Sequence, residues 1–158
     1  LLLVFFFINF LFVFIINNCL NFKTLNILIY SYLMKYQIDK QERYSVFTLE
    51  EPQLNSMIAP LLKSEFVFLR NEGVRNLIFD LQQVDYIDSS GLSSILTANR
   101  LWKDYGSFVL TNMNSEGVRK LIEISKLDGI LTIIPTIDES VDYIFMEDIE
   151  RDLNDEEE

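Results

Sequence analysis

Histidine is absent from the 158 residues, and cysteine occurs once, at Cys19. The first absence excludes Ser-His-Asp and Cys-His catalysis and the common zinc sites, all of which need an imidazole. The second excludes a disulfide framework or a cysteine-based metal site within the chain. Glycine is also scarce, at 5 residues, and no glycine-rich phosphate loop is visible. Cations are outnumbered, 13 Lys and Arg against 24 Asp and Glu, for a net charge of −11. A nucleic-acid partner is therefore not expected, because phosphate binding needs clustered Lys and Arg. These absences point away from an enzyme, and from any resident metal or cofactor. What is present, at 49% hydrophobic residues, is enough for the core of one domain.

The apolar residues are unevenly placed. Leu1 to Ile16 is almost wholly apolar, broken only by Asn9. At about 1.5 Å per residue this run spans roughly 24 Å, short of a bilayer core of about 30 Å. Apolar character resumes from Leu25 to Leu33, after Asn17, Asn18, Asn21 and Lys23. A signal peptide would carry a basic n-region and a small-residue cleavage site, and neither is present. The segment uses almost only Leu, Phe, Ile, Asn, Tyr and Lys, all of which A and T alone can encode. Met34 is the first methionine, and ordinary globular sequence follows it. We therefore read residues 1–33 as a hydrophobic, low-complexity extension translated from upstream of a natural start at Met34. A membrane anchor is the alternative, and only then is a membrane an expected partner; otherwise the expected location is the cytoplasm.

From Met34 onward the pattern alternates between strand and helix. Tyr36 to Lys40 and Tyr44 to Leu49 read as a hairpin around a polar turn. Pro52 ends the second strand. Asn55 is placed to cap a helix carrying Met57, Ile58, Leu61, Leu62, Phe66 and Leu69. Pro60 inside that pattern predicts a kink or a late start, and Gly73 a C-terminal cap. Asn76 to Val84 has the dense apolar run of a strand covered on both faces. A second helix follows from about Ser90 to Tyr105, then a strand at Phe108 to Thr111. Asn114 or Ser115 caps a third helix through Ile124. A strand at Ile130 to Ile134 is stopped by Pro135, and a last helix opens at Asp138. The order β-β-α-β-α-β-α-β-α predicts an α/β domain: a mostly parallel sheet of four to five strands, an edge hairpin and about four helices. The domain is expected over 34–150. Residues 151–158 form an acidic tail, and most of Glu147 to Glu158 is expected to be solvated and frayed.

Chemistry concentrates at Asp88-Ser89-Ser90-Gly91-Leu92, between the Asn76–Val84 run and the second helix. Small polar residues before the helical spacing Leu92, Ile95, Leu96 mark a helix N-terminus. Either Asp88 or Ser89 could be the cap. Free N–H groups and the positive end of the helix dipole favour added negative charge at such a turn.

Leu77-Ile-Phe-Asp-Leu through Val84, followed by Ile87-Asp88-Ser89-Ser90-Gly91-Leu92, resembles the STAS domain family, which includes bacterial anti-sigma factor antagonists. The element order from Tyr36 to Ile149, Gly106 before a strand, and the stretch Ser115 to Gly129 are similar to the family as well. The resemblance implies a switch. The unphosphorylated protein would bind an anti-sigma factor of the GHKL ATP-binding type and so release a sigma factor. That partner, acting as a serine kinase, would phosphorylate Ser89, and a PP2C-type phosphatase would reverse it. Asp88, Ser90 and Gly91 would complete the partner-binding loop. Asn55 would join it, standing where antagonists of the family carry a carboxylate that helps partner recognition. The alternative is a non-switching STAS scaffold in a multi-protein or transporter-associated complex. A response-regulator receiver would need Mg²⁺ held by an acidic pair at the end of the first strand and a later lysine; Asp80 and Asp85 are available, but the pair and the lysine are missing.

Overall fold

The computed structural model describes residues 34–155, so the expectations for residues 1–33 and for the last three residues of the acidic tail lie outside it. The elements are β1 (Tyr36–Lys40), β2 (Ser45–Leu49), β3 (Gln53–Leu54), α1 (Ala59–Asn71), β4 (Leu77–Asp80), β5 (Tyr86–Ile87), α2 (Ser89–Trp102), β6 (Phe108–Thr111), α3 (Glu116–Ile124), β7 (Thr132–Ile134) and α4 (Ile137–Asp155). Five strands form one sheet in the order β1-β2-β4-β6-β7. β1 runs antiparallel to β2 at one edge, and every later pair is parallel. This is the α/β arrangement that the alternation predicts.

The period of two along each strand sorts side chains to the two faces. Phe47, Leu77, Phe79, Phe108 and Leu110 join one core with buried residues of α1, α2 and α3. Val46, Ile78 and Val109 point the other way, against Ile144 of α4. The larger core is built on aromatic edges. The Phe66 ring lies 5.7 Å from Phe47, 5.3 Å from Phe79 and 5.8 Å from Phe108. Trp102 closes this cluster and donates its indole N–H to the Val74 carbonyl at 3.1 Å, so its one polar atom is satisfied.

Local chemistry sets where the elements begin and end. α1 starts at Ala59 because Pro60 sits in its first turn, where a missing N–H costs nothing. Met57, expected on the buried stripe, is left outside the helix and is 79% exposed. Gly73, at φ 90°, closes α1 while the Val74 N–H returns to the Leu69 carbonyl at 3.1 Å. A Cβ at Gly106 would lie 1.6 Å from the Arg75 carbonyl oxygen, so only glycine fits at the approach to β6.

Two further expectations change. The strand expected over Asn76–Val84 pairs only from Leu77 to Asp80. Leu81, Val84 and Ile87 remain buried beyond it, but a turn at Gln82-Gln83 carries the chain out of the main sheet. An apolar run records burial, not which residues share a ladder. β5 then pairs in parallel with β3, a second two-stranded sheet that the pattern did not predict. At the other end, α4 continues to Asp155, where fraying was expected from Glu147. Its anchor is polar. Asn76, fully buried, donates to the Arg43 carbonyl at 2.9 Å and to both Asp148 oxygens at 3.2 Å. Arg151 reaches Asp148 at 3.2 Å and the Ser107 hydroxyl at 2.8 Å. Buried groups in such a network are costly to leave unpaired, so the end of α4 is held to the sheet.

Tyr36 stacks on Phe47, with ring centroids 4.9 Å apart. Burial, followed by the charge and hydrogen bonding of Glu65, pushes its phenol up to about 12. An unfolded tyrosine loses its proton near about 10. The folded chain therefore binds the extra proton between those values, and stability falls as pH rises from about 10 toward about 12. Tyr36→Phe is expected to flatten this alkaline decline in urea-denaturation midpoints. Tyr143, also raised by burial, will leave a residual slope.

Candidate functional site

The site is assembled by β3, β5 and the start of α2. The Pro52 carbonyl accepts the N–H groups of Asp85 at 2.8 Å and Tyr86 at 3.2 Å, and the Leu54 carbonyl accepts that of Asp88 at 3.1 Å. The turn after β3 is thereby laid beside the N-terminus of α2.

Asp88, not Ser89, is the cap. Its backbone is extended, at φ −95° and ψ −178°, and its Oδ1 accepts the Gly91 N–H at 2.8 Å. Its Oδ2 accepts the Ser56 N–H at 3.1 Å. One half-buried carboxylate thus closes α2 and clamps the neighbouring turn. Ser89 is the first residue of the helix and is exposed, so its hydroxyl stands at the rim of the loop without carrying the cap. Ser90 is half-buried behind it. Gly91 is buried, and a Cβ there would lie 2.2 Å from the Leu54 carbonyl oxygen and 2.7 Å from Leu54 Cγ. Its role is close approach of helix to strand, since its backbone is helical.

Asn55 shapes the adjoining turn. Its Oδ1 accepts the Met57 N–H at 2.9 Å, and its carbonyl accepts that of Ala59 at 2.8 Å. The Ser56–Asp88 bond links this turn to the serine loop. The structure therefore brings Asn55, Asp88, Ser89 and Ser90 to one junction, with Gly91 buried beneath it against Leu54.

The pattern missed two neighbours. Met57 is exposed beside Asn55, and Tyr86, two residues before Asp88, is 55% exposed. A late start for α1 at Pro60 was the available signal for Met57. Lys63 of α1 donates to the Ser93 hydroxyl at 3.0 Å, one helical turn along α2 from Ser89. The first turn of α2 holds no acidic residue. The helix dipole favours negative charge at this N-terminus, where the Asp88 carboxylate already supplies one charge, and Lys63 adds a cation one turn along.

The receiver-type alternative finds no such support. Asp80 is buried and engaged by the Thr48 hydroxyl at 3.2 Å, the Gln82 N–H at 3.0 Å and the Asn112 amide at 3.0 Å. Among the described residues no three acidic or cysteine side chains group so as to hold a metal ion. Nor, among them, is any helix long and apolar enough to cross a membrane.

The geometry is thus a mostly parallel sheet with an edge hairpin, and an Asp-Ser-Ser-Gly-Leu turn opening the second helix. The chain belongs to the STAS domain family, whose model matches residues 35–140. A relative from Bordetella bronchiseptica, BtrV, named as an anti-sigma factor antagonist, is 34% identical over 103 residues, 65% of this chain and 84% of its own length. A solved structure from Thermotoga maritima, named likewise, is 26% identical with a TM-score of 0.61 and covers 73% of this chain and 97% of its own. An antagonist from Mycobacterium paratuberculosis has a TM-score of 0.64 at 18% identity, covering 70% of this chain and 93% of its own; at that identity the likeness is one of fold.

Two variants test the architecture of the loop. Gly91→Ala forces a methyl into Leu54 and is expected to cost about 1–3 kcal/mol, as overpacking does. Asp88→Ala is expected to cost about 1–2 kcal/mol. Asp88→Asn should lose less, since its single carbonyl oxygen can keep the cap while the Ser56 bond is given up. Equilibrium urea denaturation measures all three. Equal losses for Asp88→Asn and Asp88→Ala would move the energy from the cap to the Ser56 bond.

Proposed function

We propose that the chain is an anti-sigma factor antagonist. In its unphosphorylated form it binds an anti-sigma factor that is also a GHKL-type serine kinase, and a sigma factor is released. Phosphorylation of Ser89 by that partner ends the interaction, and a PP2C-type phosphatase restores it. On this reading the chain is a substrate of the kinase, and it acts on transcription in the cytoplasm through protein contacts alone.

The observation that carries the reading is the division of labour at the helix terminus. Asp88 supplies the cap, so the exposed hydroxyl of Ser89 is free to be modified while the helix keeps its closure. A phosphate there adds about −1.5 to −2 charge at neutral pH. The dipole of α2 and Lys63, one turn along the helix, favour that charge and offset its repulsion from the Asp88 carboxylate, so the fold is expected to tolerate it. The partner surface is different. Met57, on the turn that Ser56 ties to Asp88, and Tyr86, two residues before Asp88, are exposed and offer apolar and aromatic area. A partner packed over them would have to desolvate a dianion beside them, and binding is lost by charge and clash with little change of structure. Asn55 contributes through the turn that presents Met57.

Incubation of the full chain with candidate GHKL kinases and ATP, followed by mass spectrometry of the Ser89 peptide, tests the modification. For the switch, Ser89→Asp is expected to weaken binding to the kinase partner at least about tenfold, about 1.4 kcal/mol, while Ser89→Ala retains binding. Full affinity in Ser89→Asp would sink the switch and favour the non-switching scaffold.

A further inference from the structure

The outer side of α4 is not used by anything described so far. Its inner side is spent on Val141, Ile144 and the Asn76–Asp148–Arg151 network. On the outer side Met146 is 64% exposed, Ile149 56% and Leu153 59%, with Phe145 partly exposed beside them. Spacings of three and four residues put Met146, Ile149 and Leu153 on one line along the helix, the seam by which helices pack on helices. Single exposed apolar residues need no explanation, but a contiguous stripe marks a contact surface. Arg43, from the β1–β2 turn, lies 5.7 Å over the Phe145 ring at one end.

The charge around the stripe selects the occupant. α4 carries eight acidic residues and one cation, Arg151, which is engaged with Asp148, Glu147 and Ser107. Asp142, Glu150 and Asp152 are exposed along it. A second copy of the chain would set acid against acid across the seam, and an anionic lipid surface would do the same. We infer that this face docks a basic amphipathic helix of a partner protein, its apolar side on Met146, Ile149 and Leu153 and its Lys or Arg residues against Asp142, Glu150 and Asp152. The face lies across the sheet from α2, so this contact is independent of Ser89 and would let one chain hold two partners at once.

The test is titration of the full chain with a labelled synthetic helix of about 18 residues, roughly five turns, bearing Leu along its seam and Lys beside it. Fluorescence anisotropy is the readout. Saturable binding is expected, weakened at least about tenfold by Ile149→Ser and again when salt rises from about 0.05 M to about 0.5 M. Both substituted positions of a Met146→Ser, Ile149→Ser pair are exposed, so circular dichroism should show an unchanged fold. Absence of binding overturns the inference, as does equal binding of a peptide with Glu in place of Lys, or binding that Ile149→Ser leaves intact. Self-association of the full chain abolished by Ile149→Ser would assign the face to a second copy, and binding to vesicles of anionic lipid would assign it to a membrane; either also overturns the proposal.

Discussion

The junction between the turn after β3 and the start of α2 depends on the two oxygens of the Asp88 carboxylate. One closes the N-terminus of α2 and the other holds the Ser56 N–H of the turn that contains Asn55. An unsatisfied helix terminus would draw in whichever side chain lay nearest. Because Asp88 meets that need, Ser89 is released from it. The carboxylate therefore does two jobs at once: it fixes the geometry of the loop, and it leaves the Ser89 hydroxyl outside the cap. Gly91 makes this possible, since any side chain there would push α2 off Leu54 and separate the two turns that Asp88 joins.

The remainder of the fold holds that junction still. β3 and β5 are only two residues long each, too short to be stable alone, and they borrow rigidity from the packed core beneath. Leu54, Ile58 and Ile87 descend from the site into the same cluster as Phe66, Phe79 and Trp102. The backbone of the site is pinned by these buried neighbours. Across the sheet, α4 is fastened by a different device, the buried amide of Asn76 against Asp148 and Arg151. Polar anchoring at that end leaves the opposite side of the helix with an apolar stripe that the domain itself does not need.

Much of this was legible in the residues. The alternation of short β-rich runs with helical spacing marks the α/β class, and Gly73, Pro135 and Ser115 punctuate it as their chemistry demands. The loop Asp88-Ser89-Ser90-Gly91 is visible as a helix start. Three features were not. The capping role could fall to either Asp88 or Ser89, because both side chains can accept the same N–H, and only backbone geometry separates them. The β3–β5 pairing joins residues more than thirty apart, and two-residue strands leave no periodicity to read. Met57 sits on a helical stripe in the pattern, yet Pro60 delays the helix and turns it outward.

The sequence by itself determined the class of fold, the absence of imidazole chemistry and the helix start at Asp88-Ser89-Ser90-Gly91, since each follows from composition or local propensity, and the motif in that stretch carried the resemblance to the family that the match over residues 35–140 shows. Only the tertiary structure decided that the turn holding Asn55 is bonded to the serine loop, that Asp88 rather than Ser89 closes the helix, and that the acidic C-terminal segment is an anchored helix through Asp155. Those outcomes rest on contacts between residues distant in the chain, Ser56 with Asp88 and Asn76 with Asp148, and no local pattern encodes which donor will find which acceptor.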